Sequence, residues 1–399
     1  MTSPFLRFVA LVSLLSALPV AHAADANEER SARFKKMSED AERAGLASPF
    51  VGITNDGTAQ PGLFPVRATG VSTAPVRAAA ETYLASLTPE QRAATQFAVD
   101  DAEWRKWMNQ DFYVRQGVAF RDMTESQRAA AFGLMQASLS AKGLGLSRDI
   151  MKLNTTLGEL ANDRERYDEG LYWITIMGEP SANEPWGWQL DGHHLVVNYF
   201  VLGDQVVMSP AFFGSEPVTA TAGKYRGTSI LQEEQRRALA FRRSLDAAQS
   251  ARAVLEVGKT GNNNLTEAFK DNVVLDYAGL RATELNAEQR EALTELVALF
   301  VENMDEGHAR VKMEEVVRHL DATFFAWIGA AEEDSVFYFR IHSPVVLIEF
   351  DHQRPINLRH LSKNPAIPTR EHIHVVVRTP NGNDYGKDLL RQHYLEHRH

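Results

Sequence analysis

A recurring pattern of hydrophobic and polar residues marks the start of four helices. In each copy an apolar residue precedes a short polar stretch, acidic side chains and Gln-Arg follow, and an apolar run with helical spacing comes next. The four copies are Leu87–Arg92, Met123–Arg128, Leu231–Arg236 and Leu285–Arg290. A capping residue is clear in three of them, at Thr88, Thr124 and Asn286. We therefore predict helices that begin at these four positions.

Two sets of apolar, strand-like segments resemble each other at a distance of 151 residues, as from Trp188 to Phe339. The first set comprises residues 172–178, 188–190 and 195–199, and the second comprises residues 324–329, 339–341 and 346–350. Because each set follows a helical stretch, we predict an α+β fold of two helices-plus-β-hairpin repeats around a pseudo-two-fold axis. The alternative is chance similarity between short apolar strands. If the duplication holds, the cleft between the repeats is the natural ligand site.

The same pattern divides the chain into four segments. Residues 1–23 are predicted to be a signal peptide. Residues 24–75 are predicted to hold a charged helix, 27–45, and then an extended segment rich in Gly, Pro and Thr. The first predicted repeat spans residues 76–250, and the second spans residues 251–399.

The first 23 residues carry the features of an export signal. Arg7 supplies a positive charge, Phe8–Leu18 forms a short apolar core, and Ala21-His22-Ala23 is a small-x-small cleavage site. The apolar core is shorter than the roughly 20 residues that a spanning helix needs, and no later stretch is apolar enough to span. We expect cleavage after Ala23 and a periplasmic or secreted protein without a membrane span.

Cysteine content and net charge restrict the chemistry of the chain. Its 399 residues include no cysteine, which excludes disulfides, thiolate nucleophiles and cysteine-ligated metals. The net charge of −10 argues against binding to nucleic acid or to an anionic membrane, because no basic excess exists to replace counterions. Any metal must therefore be held by His, Asp, Glu, Tyr or Met, and we expect a small-molecule substrate or ligand.

Most of the 13 histidines lie in two strand-rich stretches. His372 and His374 are two residues apart in an apolar run, so on a strand they share a face and can reach one cation. His193 and His194 point in opposite directions if the chain is extended, so we expect one of them to join that site. His342 is a fifth candidate ligand. The alternative is a polar sheet face or a hydrogen-bonded network of buried histidines.

Polar residues near these histidines are candidates for catalysis. Arg378 directly follows the strand with two histidines and can bind an anionic or carbonyl group of a substrate. Asp384 and Tyr385, in the turn that follows, and Asp191, just before the histidine pair, are candidate proton carriers or outer partners of a ligand histidine. Glu371 is a further candidate for an outer partner. The alternative for Arg378 is a turn closed by an Arg–Asp ion pair.

Several segments carry a resemblance to a known bacterial family. They are Trp186–Leu195, Pro210–Pro217, His372–His374 through Arg378, and Asp384–Gly386. On these segments the chain resembles the uncharacterised family catalogued as domain of unknown function 3500, and the similarity runs from about Phe34 to His393. The resemblance implies that both histidine segments are hallmarks of the family. It brings no activity with it, and therefore no catalytic role for any residue.

Two classes of function agree with these observations. The preferred one is an exported metal-dependent enzyme, hydrolytic, in which His372, His374 and one of the histidine pair hold zinc, and an open coordination position polarises a carbonyl or activates water. Copper or iron on the same ligands gives a redox enzyme, since histidine ligation does not separate these metals. The second class is a non-catalytic periplasmic protein whose histidines form a closed metal site or line a ligand pocket.

Overall fold

A computed structural model describes the backbone of residues 18–397 and the side chains of residues 29–397. The predicted signal peptide, with its cleavage site at Ala21–Ala23, lies outside the residues whose side chains are described. The described chain is α+β, with ten α-helices and one mixed sheet of 13 strands, and this confirms the predicted class. None of the helices in this part of the chain combines the length and the hydrophobicity needed to cross a membrane.

Helices occupy six regions of the described chain. They are α1 (Leu18–Gly45), α2 (Ala74–Ser86), α3 (Pro89–Thr95), α4 (Glu125–Ser138), α5 (Ala141–Ala161), α6 (Gln232–Ser244), α7 (Ala247–Ala253), α8 (Ala287–Val301), α9 (Glu306–Arg318) and α10 (Lys387–Glu396). Short 3-10 turns lie in several of the connections, and three of them come directly before a helix or are separated from its start by two residues, at α4, α8 and α10.

Capping chemistry starts the predicted helices. Thr88, Thr124 and Asn286 each accept a hydrogen bond from the backbone N–H of a Gln three residues later, whose side chain accepts from the N–H of the cap. A fourth capping box, at Asp246, starts α7. Helix α6 begins directly after Leu231, as predicted, although Leu231 provides no side-chain cap.

The strands form one continuous sheet. They are β1 (Gln96–Phe97), β2 (Val118–Ala119), β3 (Tyr172–Met177), β4 (Trp186–Gly192), β5 (Leu195–Leu202), β6 (Gln205–Val207), β7 (Ala211–Ser215), β8 (Val254–Glu256), β9 (Leu280–Arg281), β10 (Phe324–Gly329), β11 (Phe337–His342), β12 (Leu347–His352) and β13 (Ile373–Arg378). The main path across the sheet is β1-β3-β4-β5-β7-β13-β12-β11-β10-β8. At its centre β7 and β13 are antiparallel, with Phe213 opposite Val375.

The sheet has the same order of pairings from either edge to its centre. At one edge β3 pairs in parallel with β1 and antiparallel with β2, and at the other β10 pairs in parallel with β8 and antiparallel with β9. Antiparallel strands then lead from β3 to β7 and from β10 to β13. The helices carry matching contacts, since the side chain of Gln127 donates to Gln91 and that of Gln289 donates to Gln249.

The two faces of the sheet bury different hydrophobic clusters, because alternate residues of a strand point to opposite sides. Trp188 and Leu190 of β4 belong to the larger cluster, which includes buried residues of α2, α4, α5, α6 and α8. Val196 of β5 and Phe212 of β7 belong to the smaller one, together with Trp104 from the β1–β2 connection and residues of α10. One face is therefore covered by helices, and the other mainly by long connections.

Candidate metal centre

Three histidines from distant parts of the chain converge on the face covered by the connections. His194 lies in the turn between β4 and β5, His372 directly precedes β13, and His374 lies within it. The Nε2 atom of His194 is 3.2 Å from Nε2 of His372 and 3.2 Å from Nε2 of His374, and the last two are 3.0 Å apart. No other group of His, Asp or Glu in the described chain has metal-binding spacing. The predicted site is thus assembled, with His194 as its third member.

The spacing of these nitrogens fits a metal ion. Zn–N bonds of roughly 2.0–2.1 Å at near-tetrahedral angles place ligand nitrogens roughly 3–3.5 Å apart. The observed separations, 3.0 to 3.2 Å, fall in this range. The three residues are also buried, with exposed fractions of 2% for His372, 5% for His194 and 8% for His374. An ion held here would be largely shielded from bulk water.

Gly214 allows the histidine segments to approach each other. Strand β7 lies between β5 and β13, and its Gly214 is opposite His374 in the antiparallel ladder. The backbone N–H of Gly214 donates to the carbonyl oxygen of His194 at 2.9 Å. A Cβ at Gly214 would lie only 2.4 Å from the carbonyl oxygen of Ile373 and 3.4 Å from Cδ2 of His194. The missing side chain therefore leaves the space in which the cluster forms.

The backbone of His194 orients its ring. His194 has a φ of 62°, in the left-handed region, and its N–H donates to the carbonyl oxygen of Asn109 at 3.0 Å. Because the chain is not extended here, the rings of His193 and His194 stack, with centroids 4.0 Å apart, instead of pointing apart. His193 supports the ring of His194 in this way without joining the cluster.

Two of the three clustered histidines have hydrogen-bond partners on their outer nitrogens. Nδ1 of His372 is 2.7 Å from the carbonyl oxygen of Arg354, and Nδ1 of His374 is 2.6 Å from Oε1 of Glu267. Carbonyl and carboxylate oxygens only accept, so each Nδ1 carries the proton and each Nε2 presents a lone pair. Two lone pairs 3.0 Å apart repel each other unless a cation or a proton lies between them.

Burial keeps the cluster in its metal-binding form. It lowers the pKa of His194 and that of His372 well below the ordinary value, and the neighbouring histidines lower both further. A neutral imidazole is the form that coordinates a metal ion. At neutral pH these two rings therefore offer lone pairs.

Glu267, which the sequence did not indicate, is the outer partner of His374. It lies in the loop between β8 and β9, where Nδ2 of Asn264 also donates to its Oε1 at 3.0 Å. Burial raises the pKa of Glu267, but its interactions with His374 and with neighbouring amide side chains outweigh this effect and leave the pKa below its usual value. Arg378 holds the loop, since it donates to the carbonyl oxygens of Thr266 at 2.9 Å and of Glu267 at 3.0 Å.

Three of the predicted catalytic residues lie in a buried polar network. Nη1 of Arg378 is 2.8 Å from Oδ1 of Asp271 and 3.1 Å from Oδ2 of Asp384. The hydroxyl of Tyr385 donates to Oδ1 of Asp271 at 2.9 Å and accepts from Nε1 of Trp107 at 2.8 Å. Burial raises the pKa of Asp384 to about 6. The network reaches the histidine cluster indirectly, through the loop that Arg378 holds.

The other predicted residues lie outside the cluster. Oδ1 of Asp191 is 3.0 Å from Nε of Arg115, and burial raises the pKa of this Asp to about 6. Nδ1 of His193 lies 2.9 Å from Oδ1 of Asn154. His342 is on β11, where burial lowers its pKa to about 3. The structure thus brings three of the five predicted ligands together and leaves His193 and His342 out of the group.

The carboxylates proposed from sequence as outer partners bond elsewhere. Within the described chain, none of Asp191, Asp384 and Glu371 makes a hydrogen bond to the three clustered imidazoles. A second carboxylate that the sequence did not indicate, Glu216, lies with its Oε2 at 3.7 Å from Nδ1 of His372. Glu216 and Glu267 carry no local sequence signal, because each is brought to the cluster by a loop.

A mixed sheet with helices on one face and a buried three-histidine cluster on the other defines an α+β protein with a candidate metal centre. Residues 69–387 match the family described as protein of unknown function DUF3500. Because the match covers most of the chain, the protein belongs to this family, as the resemblance predicted, and all three clustered histidines lie within the matched region. Comparison with curated proteins and with solved structures gave no match.

Proposed function

We propose that this protein is an exported metal-dependent enzyme, hydrolytic in its reaction, in which His194, His372 and His374 hold a divalent ion, zinc. The observation that carries the proposal is the convergence of three Nε2 atoms within 3.2 Å of one another. The outer nitrogens of two rings are engaged by oxygen acceptors, as second-sphere partners of metal ligands commonly are. A cation would relieve the repulsion between the facing lone pairs.

An open coordination position favours catalysis. In the part of the chain that the structure describes, no fourth His, Asp or Glu side chain joins the three histidines. Three protein ligands with an exchangeable fourth position are typical of catalytic zinc, whereas structural zinc is usually closed by four. An ion bound in this way polarises a carbonyl oxygen or activates water. Copper or iron on the same ligands would give a redox enzyme instead.

The alternative is a non-catalytic protein that binds a metal or another small ligand. The burial of the site favours it, since none of the three histidines is more than 8% exposed. The same burial also limits the substrates of an enzyme, because only a small molecule or an extended chain end could reach the three histidines.

Elemental analysis of protein purified without a polyhistidine tag tests the metal. We expect about one ion per chain, and we expect it to be lost when His372 and His374 are both replaced by Ala. His342→Ala is the matched control, because His342 is also a buried strand histidine but lies outside the cluster, and this variant should keep its ion. Wild-type protein without an ion, or equal loss in the control, would contradict the proposal.

Hydrolysis requires its own test. A panel of small esters and amides should be turned over by the protein with its ion and not after chelation, and activity should return when the ion is restored. Loaded protein that hydrolyses none of them would favour the non-catalytic alternative.

Export belongs to the proposal and rests on residues 1–23 alone. Cell fractionation should find the protein in the periplasm or the medium, and mass spectrometry should give a mature start after Ala23. A cytoplasmic form that retains Met1 as the main species would contradict export.

We also propose that the fold arose by internal duplication. The matching order of strands from both edges supports this, and so do the matching pairs Gln127–Gln91 and Gln289–Gln249. By this correspondence α6 matches α2, so the second repeat would begin near Gln232 and not at residue 251. An experimental structure in which one half superposes on the other, with β4 on β11 and β7 on β13, is the expected result.

A further inference from the structure

Two buried polar atoms near Glu267 have no hydrogen-bond partner. Nδ2 of Asn109 is a donor and Oδ1 of Asn264 is an acceptor, and both atoms are shielded from water. The whole of Asn109 is only 2% exposed. Because an unpaired buried polar group costs free energy, such atoms are usually paired with protein, with ordered water or with a bound ligand.

Both residues lie beside the three-histidine cluster. Nδ2 of Asn264 donates at 3.0 Å to Oε1 of Glu267, the same oxygen that accepts from His374. The carbonyl oxygen of Asn109 accepts from the N–H of His194 at 3.0 Å. The unpaired donor thus belongs to the residue that binds the backbone of His194, and the unpaired acceptor belongs to the residue that binds Glu267, the outer partner of His374.

We infer that Asn109 and Asn264 recognise an amide group of the substrate. Nδ2 of Asn109 donates to the amide carbonyl oxygen, and Oδ1 of Asn264 accepts from the amide N–H. An amide presents this acceptor and this donor on adjacent atoms, whereas an ester or a carboxylate lacks the donor. The inference rests on the proposed function, because the histidine-bound ion supplies the electrophilic centre.

The substrate class follows from this recognition. Hydrolysis of an amide consumes one water molecule, breaks the bond between the carbonyl carbon and nitrogen, and forms a carboxylic acid and an amine, which takes up the proton. The competing explanation is an ordered water that bridges the two atoms, as waters often do in polar cavities.

Two hydroxamates distinguish these explanations. Acetohydroxamate carries a carbonyl oxygen and an N–H, and N-methylacetohydroxamate keeps the metal-binding oxygens but lacks the N–H. Both are titrated into full-length protein loaded with cobalt, and binding is followed by the visible absorption of the ion. We expect wild-type protein to prefer acetohydroxamate by about tenfold, since the N-methyl probe leaves the acceptor of Asn264 unpaired.

Variants assign the preference to its residues. Asn264→Ala should abolish the preference for acetohydroxamate. Asn109→Leu should lower the affinity for both probes by about tenfold, and the cobalt content of both variants should stay unchanged. Equal affinity of wild-type protein for the two probes, as with a bridging water, would overturn the inference even if a variant fails to fold. A preference that survives in Asn264→Ala would overturn it too. Wild-type protein that takes up no cobalt would overturn the proposed function and this inference together, whereas loaded protein without a preference would overturn only the inference.

Discussion

Oε1 of Glu267 lies 2.6 Å from Nδ1 of His374, so a loop residue and a strand residue 107 positions later form one unit. A carboxylate that accepts from a ligand imidazole fixes its tautomer and makes its coordinating nitrogen more basic. The loop itself is bound to the sheet, because Oδ2 of Asp351 accepts from the N–H of Asn263 at 2.6 Å. The position of Glu267 therefore depends on β12 as well as on its own loop.

Glu267→Gln should weaken metal binding. The amide keeps the size of the side chain but loses the negative charge that supports His374, so we expect the affinity for zinc to fall by about tenfold or more. Competition with a chromophoric chelator measures this. Glu371→Gln is the matched control, because Glu371 directly precedes His372 in sequence but makes no hydrogen bond to the cluster. A larger loss in the control would contradict the assignment of Glu267.

Gly214→Ala should disturb the cluster from the neighbouring strand. The added Cβ would meet the carbonyl oxygen of Ile373 at 2.4 Å, so β7 and β13 must shift. We expect a loss of about 1–3 kcal/mol in the free energy of unfolding, together with weaker metal binding. Gly133→Ala in α4 is the control, since its Cβ would meet no atom within 4 Å and should be neutral or stabilising. Unfolding in urea and chelator competition report the two effects, and an unchanged affinity in Gly214→Ala would contradict the role given to Gly214.

His342 should make stability depend on pH. Burial lowers its pKa from 6.5 to about 3, so between these values the unfolded chain binds more protons than the folded one. The contribution of His342 is therefore fully present above pH 6.5 and is lost as the pH falls toward 3. Relative to His342→Gln, the wild-type protein should lose about 2 kcal/mol of unfolding free energy between about pH 7.5 and about pH 5.

Urea unfolding of metal-free wild-type and His342→Gln proteins at both pH values measures this difference. The use of metal-free protein removes the contribution of ion binding from the comparison. Parallel pH dependence in the two proteins would show that His342 is not the responsible group.

Arg378→Met should destabilise the protein strongly. Arg378 is fully buried and forms ion pairs with Asp384 and Asp271. Its loss removes the cation that is paired with Asp384, and it leaves Asp271 with Arg105 as its remaining arginine partner. Breaking a buried ion pair from one side typically costs about 3–5 kcal/mol. The control is Arg391→Met, which removes a pair with Asp388 on the surface and should cost less than about 1 kcal/mol. Denaturant unfolding that gives equal losses would contradict the structural role of the network.

The sequence predicted those features that depend on neighbouring residues. Thr88, Thr124 and Asn286 start helices because capping operates within four positions. His372 and His374 share a face because side chains alternate along a strand. Both rules act over one turn or one strand, so a single sequence contains all that they need.

Contacts between distant segments could not be predicted in this way. The selection of His194 over His193 depends on a positive φ at His194, which is accompanied by hydrogen bonds to Asn109 and Gly214. Asp191 was a reasonable outer partner by proximity, but its carboxylate is engaged by Arg115, 76 residues earlier, as the two positions in the sequence show. These choices are made by tertiary contacts, for which hydrophobic periodicity gives no signal.

The central strand pair has a consequence for the history of the protein. One half produced alone would leave the edge of β7 or β13 with unpaired N–H and C=O groups, which invite association. If the halves descend from one ancestor, that ancestor would have covered the edge with an identical chain, as a two-fold dimer. In a homodimer every ligand would occur twice, so a single centre built from His194 on one side and from His372 and His374 on the other could evolve only after both copies were encoded in one gene.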